Sequence, residues 1–87
     1  MRLRLHETGQ AQVDGAWVGA ANIATRAPFG GEGPPALRAQ ISVDEDPPLD
    51  VVEGEEVEIA GARWRVAEIV EDPAHQRGDV FLERIQA

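Results

Sequence analysis

Hydrophobic and polar residues alternate along two short segments that meet at a central Ala-Gly pair. Val57 and Ile59 lie on one side of the first segment, and Trp64 and Val66 lie on the matching side of the second. Alternation with period two is the pattern of a strand that has one buried and one solvated face. The two segments together therefore predict a β-hairpin over 57–66.

The same alternation predicts strands on both sides of this hairpin. The segment 37–43 shows it most regularly, since every second residue from Leu37 is apolar. The other predicted strands are 2–6, a strand from Ala16 to about Ile23 that follows the turn signal Asp14-Gly15, and 79–85.

The pattern is interrupted at three places. After Val66 the next apolar residue of the inward face is Ile69, and this change of parity predicts a β-bulge at 67–68. Glycines and prolines predict a loop over 26–36, and acids followed by two prolines predict another over 44–50.

The strand pattern sets the fold class. No segment of helical length repeats its apolar residues with the 3.6-residue period of a helix. About six short strands with little or no helix predict an all-β fold, and we expect a small antiparallel barrel or roll that forms one domain over 1–87. The residues expected at the centre of its core are Trp64, Ile41, Val57, Ile59, Leu82 and Val66.

Composition narrows the setting of this fold. The chain has 87 residues and no cysteine, so its stability must come from an apolar core or from a partner chain. No apolar run reaches the length of a membrane span or a signal peptide, which predicts a cytoplasmic protein that does not enter membranes. All eight basic residues are arginine, a bias typical of a GC-rich genome.

Charge is distributed unevenly along the chain. The formal net charge is -8, and thirteen of the sixteen acidic residues follow residue 40, whereas the arginines divide equally between the two halves. A nucleic-acid backbone would be repelled by this field, so direct binding of nucleic acid is disfavoured and a basic partner is favoured.

The acidic half contains eight carboxylates within 44–58. The favoured interpretation is a solvated surface that keeps the protein soluble and discourages pairing of sheet edges. Calcium binding is disfavoured, because two rigid prolines and the lack of a glycine prevent the loop from wrapping around an ion. The third interpretation is a basic protein partner, bound in the extreme case by mimicry of DNA phosphates. Its candidate contacts are Asp44, Glu45, Asp46, Glu55 and Glu56.

Few residues offer catalytic or metal-binding chemistry. His6 and His75 are the only histidines, and neither has a set of convergent ligands at metal-binding spacing. The hydroxyls of Thr8, Thr25 and Ser42 lie outside any nucleophile motif. The sequence therefore predicts no catalytic, cofactor-binding or metal-binding residue and favours a protein that is not an enzyme.

Two phenylalanines suggest a binding role. Phe29 lies between a proline and two glycines in the 26–36 loop, where it can either anchor a partner or fold back beneath the loop. Phe81 points away from the core face of the closing strand and shares its side with Ile85. This second apolar stripe needs a covering loop or another subunit.

The C-terminal half resembles a known family in the order of its features. These are a turn at Gly54, an alternating arm and a tryptophan arm within 55–66, and a terminal strand over 78–85. This order resembles an uncharacterised family of small actinobacterial domains. The resemblance covers the C-terminal half and implies an all-β fold and an actinobacterial source, with no activity to carry over. Small barrels of phage head-tail connectors show a similar glycine-turn-tryptophan pattern, which is a weaker analogy.

Three hypotheses of function remain open at this stage. The first is a non-enzymatic protein-interaction or assembly module, which pairs with a second copy through Phe81 and Ile85. The second is a ligand-binding or enzymatic domain that uses a pocket under the 26–36 loop, beside Phe29 and Trp17. The third is an acidic inhibitor or DNA mimic that binds a basic partner.

Overall fold

The computed structural model describes residues 2–28, 33–72 and 77–85, with the backbone alone at residue 77. This part of the chain contains β-strands, turns and no helix. The strands are β1 (Arg2–His6), β2 (Gln10–Val13), β3 (Ala16–Arg26), β4 (Ala36–Val43), β5 (Leu49–Val51), β6 (Glu56–Ile59), β7 (Ala62–Asp72) and β8 (Arg77–Arg84). The predicted all-β class is confirmed.

The strands form two antiparallel sheets of four strands each. Sheet A has the order β1-β8-β7-β6, and sheet B has the order β2-β3-β4-β5. Strands that follow one another in sequence are neighbours in a sheet except at β1/β2 and β5/β6, where the chain crosses between sheets. The arrangement is therefore an up-and-down order opened at two places, which we call the β1/β2 seam and the β5/β6 seam. The predicted barrel is not closed.

Two strands were missed by the sequence pattern. β2 is short and carries two glutamines, and β5 has only three residues and follows two prolines. Such short strands exist because a long neighbour pairs with them: β3 supports β2, and β4 supports β5. As a result, the predicted loop over 44–50 ends before Leu49.

Two hairpin turns adopt left-handed backbone conformations. At Asp14 and Gly15, φ is 49° and 86°, and at Ala60 and Gly61 it is 51° and 81°. Positive φ at both central residues matches the right-handed twist of the strands that the turn joins. The turn predicted at Asp14-Gly15 and the hairpin predicted over 57–66 are both confirmed.

Each of the two longest strands contains an irregularity. The register of β7 against β8 shifts between Val66 and Glu68, which confirms the predicted bulge. The register of β3 against β4 shifts between Ala21 and Ala24, where Asn22 has a φ of 53°. The second bulge was not predicted, because the residues before it, Gly19 to Ala21, are too small to show which face of the strand is inward.

The core lies between the sheets and is apolar throughout. Among the described residues, sixteen hydrophobic side chains are buried and no polar or charged side chain is. All six residues expected at its centre are buried, and the largest of them, Trp64, is 0% exposed. The indole Nε1–H of Trp64 has no hydrogen-bond partner in the described part of the chain, so its contribution comes from packing.

Hydrogen bonds from the β1–β2 connection hold the β1/β2 seam. The backbone N–H of Glu7 donates to the carbonyl of Gly78 in sheet A (2.8 Å), and that of Thr8 donates to the carbonyl of Ala20 in sheet B (2.8 Å). The Glu7 carboxylate also accepts from the N–H of Ile23 (3.3 Å). Two adjacent residues thus bridge both sheets.

Replacing Trp64 with alanine should lower the free energy of unfolding by about 3–5 kcal/mol, because the core cannot collapse around so large a cavity. Urea unfolding followed by circular dichroism measures this loss. Trp17→Ala is the matched control, since Trp17 is 53% exposed. Equal stabilities for the two variants would contradict the placement of Trp64 in the core.

Gly78→Ala should destabilise the protein by about 1–3 kcal/mol through overpacking. A Cβ at this position would overlap the carbonyl oxygen of Val70 and lie 2.9 Å from Cγ2 of Ile23. Gly54→Ala serves as the comparison, because its Cβ would meet no atom within 4 Å and only its φ of 91° opposes the change. A thermal melt in which Gly78→Ala costs less than Gly54→Ala would refute this close approach.

Candidate binding surface

The acidic residues predicted to contact a partner are divided between two places. Asp44, Glu45 and Asp46 lie exposed in the turn between β4 and β5. Glu55 precedes β6, and Glu56 begins it. The side chain of Glu56 lies 3.5 Å from Arg63 across the hairpin, so part of its charge is compensated. Only the 44–46 turn presents three consecutive acids.

An exposed tryptophan lies beside this turn. Trp17 is on β3 with its side chain on the outer face of sheet B, 53% exposed. Its backbone N–H donates to Oδ1 of Asp44 (2.9 Å), and its carbonyl accepts from the N–H of Asp44 (2.7 Å). These two hydrogen bonds fix the acidic turn against the strand that carries the indole.

Trp17 and the acidic turn line an open hollow of about 600 Å³. Its described lining consists of Gln10, Trp17, Asp44, Glu45 and Asp46. It therefore combines one large aromatic surface, one amide and three carboxylates, with no basic side chain among them. We call it the tryptophan hollow.

A second, narrower depression lies at the β5/β6 seam and has a volume of about 270 Å³. Ile41 and Val43 of β4 contribute to its lining, and Leu49 of β5 and Glu58 of β6 line it from the two edge strands. The rest of its described lining is Asp46, Pro47 and Pro48. We call it the seam crevice, and Asp46 lies between it and the tryptophan hollow because it lines both.

The predicted apolar stripe on the closing strand is partly covered. Phe81 lies on the outer face of sheet A, where the guanidinium carbon of Arg2 is 4.6 Å from its ring centroid and that of Arg4 is 5.9 Å away. Ile85 is half-buried, and its N–H donates to the carbonyl of Arg63 (3.0 Å). Cation–π contacts within the chain thus cover part of the surface that a second subunit was expected to cover.

Asp79 holds an ionic cluster on the same face of sheet A. Its Oδ2 accepts a hydrogen bond from Nη2 of Arg4 (3.0 Å), and its Oδ1 lies 2.6 Å from Nδ1 of His6. The latter contact is an ion-pair distance without hydrogen-bond geometry, since Oδ1 accepts no hydrogen bond from the described residues. The Arg4 hydrogen bond, aided by the positive charges of Arg4 and His6, lowers the pKa of Asp79 despite its burial.

Two of the residues discussed above fall outside the described part of the chain. These are Phe29, proposed as an anchor, and His75. The pocket expected under the 26–36 loop involves the same undescribed segment. On the described side of that loop, Arg26 forms an ion pair with Asp50 at 2.7 Å.

Among the described residues, no three His, Cys, Asp or Glu side chains are grouped so that they could hold a metal ion. None of these residues belongs to a helix long and apolar enough to cross a membrane.

The family of the chain is established by sequence comparison. The model of a family of unknown function, DUF6406, matches residues 1–86, and the chain belongs to that family. The match extends over both halves and not only the C-terminal half in which the resemblance was seen. No curated protein and no solved structure gave a match.

The sequence placed Trp17 beside a pocket under the 26–36 loop and did not predict its position beside the acidic turn, and it did not predict the seam crevice. Strand parity contains the signal for Trp17, because Ala16 and Val18 point inward and the residue between them must point outward. The crevice leaves no comparable signal, since it forms where residues from three strands and a turn meet.

Asp79→Asn should lower the free energy of unfolding at neutral pH by about 1 kcal/mol, the scale of a charged hydrogen bond with one exposed partner. Because the folded-state pKa is lowered, the stabilisation is full above the unfolded-state pKa and is lost as pH falls through the folded-state value. Urea unfolding between neutral and acid pH measures it.

The difference between wild type and Asp79→Asn should therefore vanish under acid conditions. Glu83→Gln on the same strand is the control, because Glu83 is half exposed and lies 4.0 Å from Arg2. A difference that is independent of pH would show that the amide disturbs packing and that the ionic cluster contributes nothing.

Proposed function

We propose that this protein is a non-enzymatic interaction module that binds a basic segment of another protein at the tryptophan hollow. One observation carries the proposal: Trp17 is more than half exposed and is fixed by hydrogen bonds beside three consecutive carboxylates. An indole face next to carboxylates is complementary to a lysine or arginine side chain, which can form a cation–π contact with the indole and an ion pair with a carboxylate.

The exposure of Trp17 is the first support. A rigid indole presents a large contact area at little cost in side-chain entropy, and tryptophan is enriched at the energetic centres of protein interfaces. The core already contains the other tryptophan, Trp64, fully buried. Packing in the core therefore does not explain a tryptophan at position 17, and its exposed indole is available to a partner.

The distribution of ion pairs is the second support. Arginines pair with acids elsewhere on the molecule, namely Arg2 with Glu68 and Glu83, Arg4 with Asp79, Arg26 with Asp50, Arg63 with Glu56, and Arg84 with Asp14. No ion pair joins Glu45 or Asp46 to a described residue. The acidic turn is thus available to bind and steer a cationic partner.

This arrangement favours a local peptide contact over the two other binding hypotheses. The acids are split between the 44–46 turn and the start of β6, which does not favour a continuous phosphate-like surface. The Phe81 stripe is covered in part by Arg2 and Arg4, which makes it a poorer dimer surface than the sequence suggests. We propose that the protein is cytoplasmic, from its lack of a long apolar run, and of actinobacterial origin, from the family resemblance of its C-terminal half.

An oligoarginine peptide should shift the backbone amide resonances of residue 17 and of residues 44–46 in two-dimensional NMR spectra. It should also change the fluorescence of Trp17, and the binding should weaken between about 0.01 M and 0.15 M salt, as the Debye length falls from ~30 to ~8 Å. Oligoglutamate should have no effect.

The variant Trp17→Ala should bind oligoarginine several-fold more weakly. The control is Val70→Ala, which removes an exposed apolar side chain from the other sheet, sheet A, and should bind as the wild type does. Light scattering across a concentration series should give the mass of a monomer. Shifts confined to sheet A, equal affinity of both variants, or a salt-resistant dimer would each overturn the proposal.

A further inference from the structure

We infer that the seam crevice receives an apolar side chain of the same partner segment whose cation enters the tryptophan hollow. This inference rests on the proposed function and specifies its partner: an extended segment that carries an aliphatic or single-ring aromatic residue close to an arginine or lysine. Two adjoining depressions of opposite character carry the argument.

The lining of the seam crevice joins exposed and buried apolar residues. Ile41 is 0% exposed and forms part of the core, and its cross-strand neighbour Leu49 is 46% exposed. The crevice thus leads from solvent to the edge of the core between β5 and β6. When a partner side chain covers apolar surface at such a place, its removal from water favours binding.

The two seams differ in a way that leaves this one accessible. At the β1/β2 seam, the N–H groups of Glu7 and Thr8 donate to one sheet each. At the β5/β6 seam, hydrogen bonds of the connection over 52–55 run to sheet A, joining Gly54 and Glu55 to Val66 and the N–H of Ile69 to the Glu53 carboxylate. On the side of sheet B, the rim of the crevice includes Pro47 and Pro48, which have no N–H to donate and hold a fixed φ. A side chain can therefore enter here against a stiff rim that loses little entropy on binding.

The volume of the crevice selects the size of the side chain. An apolar cavity of about 150 Å³ holds a benzene molecule. The seam crevice, at about 270 Å³ and open on one side, has room for a leucine, isoleucine or phenylalanine side chain. Burial of such a side chain against Val43 and Leu49 is the apolar part of the recognition.

The carboxylates on the rim select the neighbours of that side chain. Asp46 lines both depressions, so the cation and the apolar residue lie on its two sides. Glu58 lines the crevice from β6, and its cross-strand partner Arg63 forms its ion pair with Glu56 instead. The carboxylates of the tryptophan hollow and of the seam crevice would repel an acidic partner segment. They favour a segment that has a cation within a few residues of its apolar anchor.

Three acetylated and amidated glycine-serine peptides test this inference. One contains a single arginine, one a single leucine, and one contains both, two positions apart. NMR titration at low salt should show that the combined peptide binds at least about tenfold more tightly than either of the others, as expected for partial burial of one aliphatic side chain. Only peptides with leucine should shift the amides of Val43, Leu49 and Glu58.

Leu49→Ser should remove the gain from leucine and retain binding of the arginine peptide. Val70→Ser is the matched control on an exposed strand position of sheet A, and it should keep the gain. A wild-type-like amide spectrum confirms that each variant is folded.

The outcomes separate this inference from the proposed function. If no peptide containing arginine shifts residue 17 or residues 44–46, the proposed function fails, and this inference fails with it. If the arginine peptide binds and the combined peptide is no tighter, only the inference about the crevice fails. A gain that persists in Leu49→Ser would likewise overturn it by placing the leucine elsewhere.

Discussion

The structure depends on one constraint: every inward side chain of two separate sheets must be apolar. The described core contains sixteen buried hydrophobic residues and no polar or charged one. A domain of this size buries little more than about 60% of the surface of its unfolded chain, so its stability depends on filling that interior with apolar side chains. Among the described residues, the indole Nε1–H of Trp64 is the one buried side-chain donor without a hydrogen-bond partner. The period-two alternation along the strands is the sequence form of that constraint, and it must continue across both eleven-residue strands, β3 and β7. Each of these strands has a bulge that resets the side-chain parity.

Incomplete backbone hydrogen bonding explains why the fold opens into two sheets at the seams. A closed barrel would need continuous hydrogen bonding from β1 to β2 and from β5 to β6. At the first crossing, Glu7 and Thr8 supply single hydrogen bonds to each sheet, with Gly78 close against Ile23. At the second crossing, the connection over 52–55 is hydrogen-bonded to β7 of sheet A through Glu53, Gly54 and Glu55, and β5 has only three residues with which to form a ladder. The opening at β5/β6 is therefore dictated locally by residues 49–55.

The sequence predicted those parts of the fold in which local pattern and burial agree. The 57–66 hairpin, the bulge after Val66 and the inward face of 37–43 are all confirmed, because each strand has one face in the core. β2, β5 and the bulge at Asn22 were missed, since pairing with a neighbouring strand and not their own alternation determines them. Local pattern could not show that the barrel stays open, because closure depends on contacts between residues distant in sequence. For the candidate site, composition located the acids of the 44–46 turn, but only the fold shows which side chains adjoin them.

Charge pairing accounts for the position of the candidate site better than the number of acids does. Cross-strand register on sheet A places arginines opposite acids, as at Arg65 and Glu56 or Arg2 and Glu83, so the outer face of that sheet is largely self-compensated. A turn has no opposite strand to supply a cation. The acids of residues 44–46 therefore keep their field, and the hydrogen bonds between Asp44 and Trp17 fix that field beside an exposed indole. A partner cation would pair with the acids of this turn in the way that arginines pair with acids across the strands of sheet A.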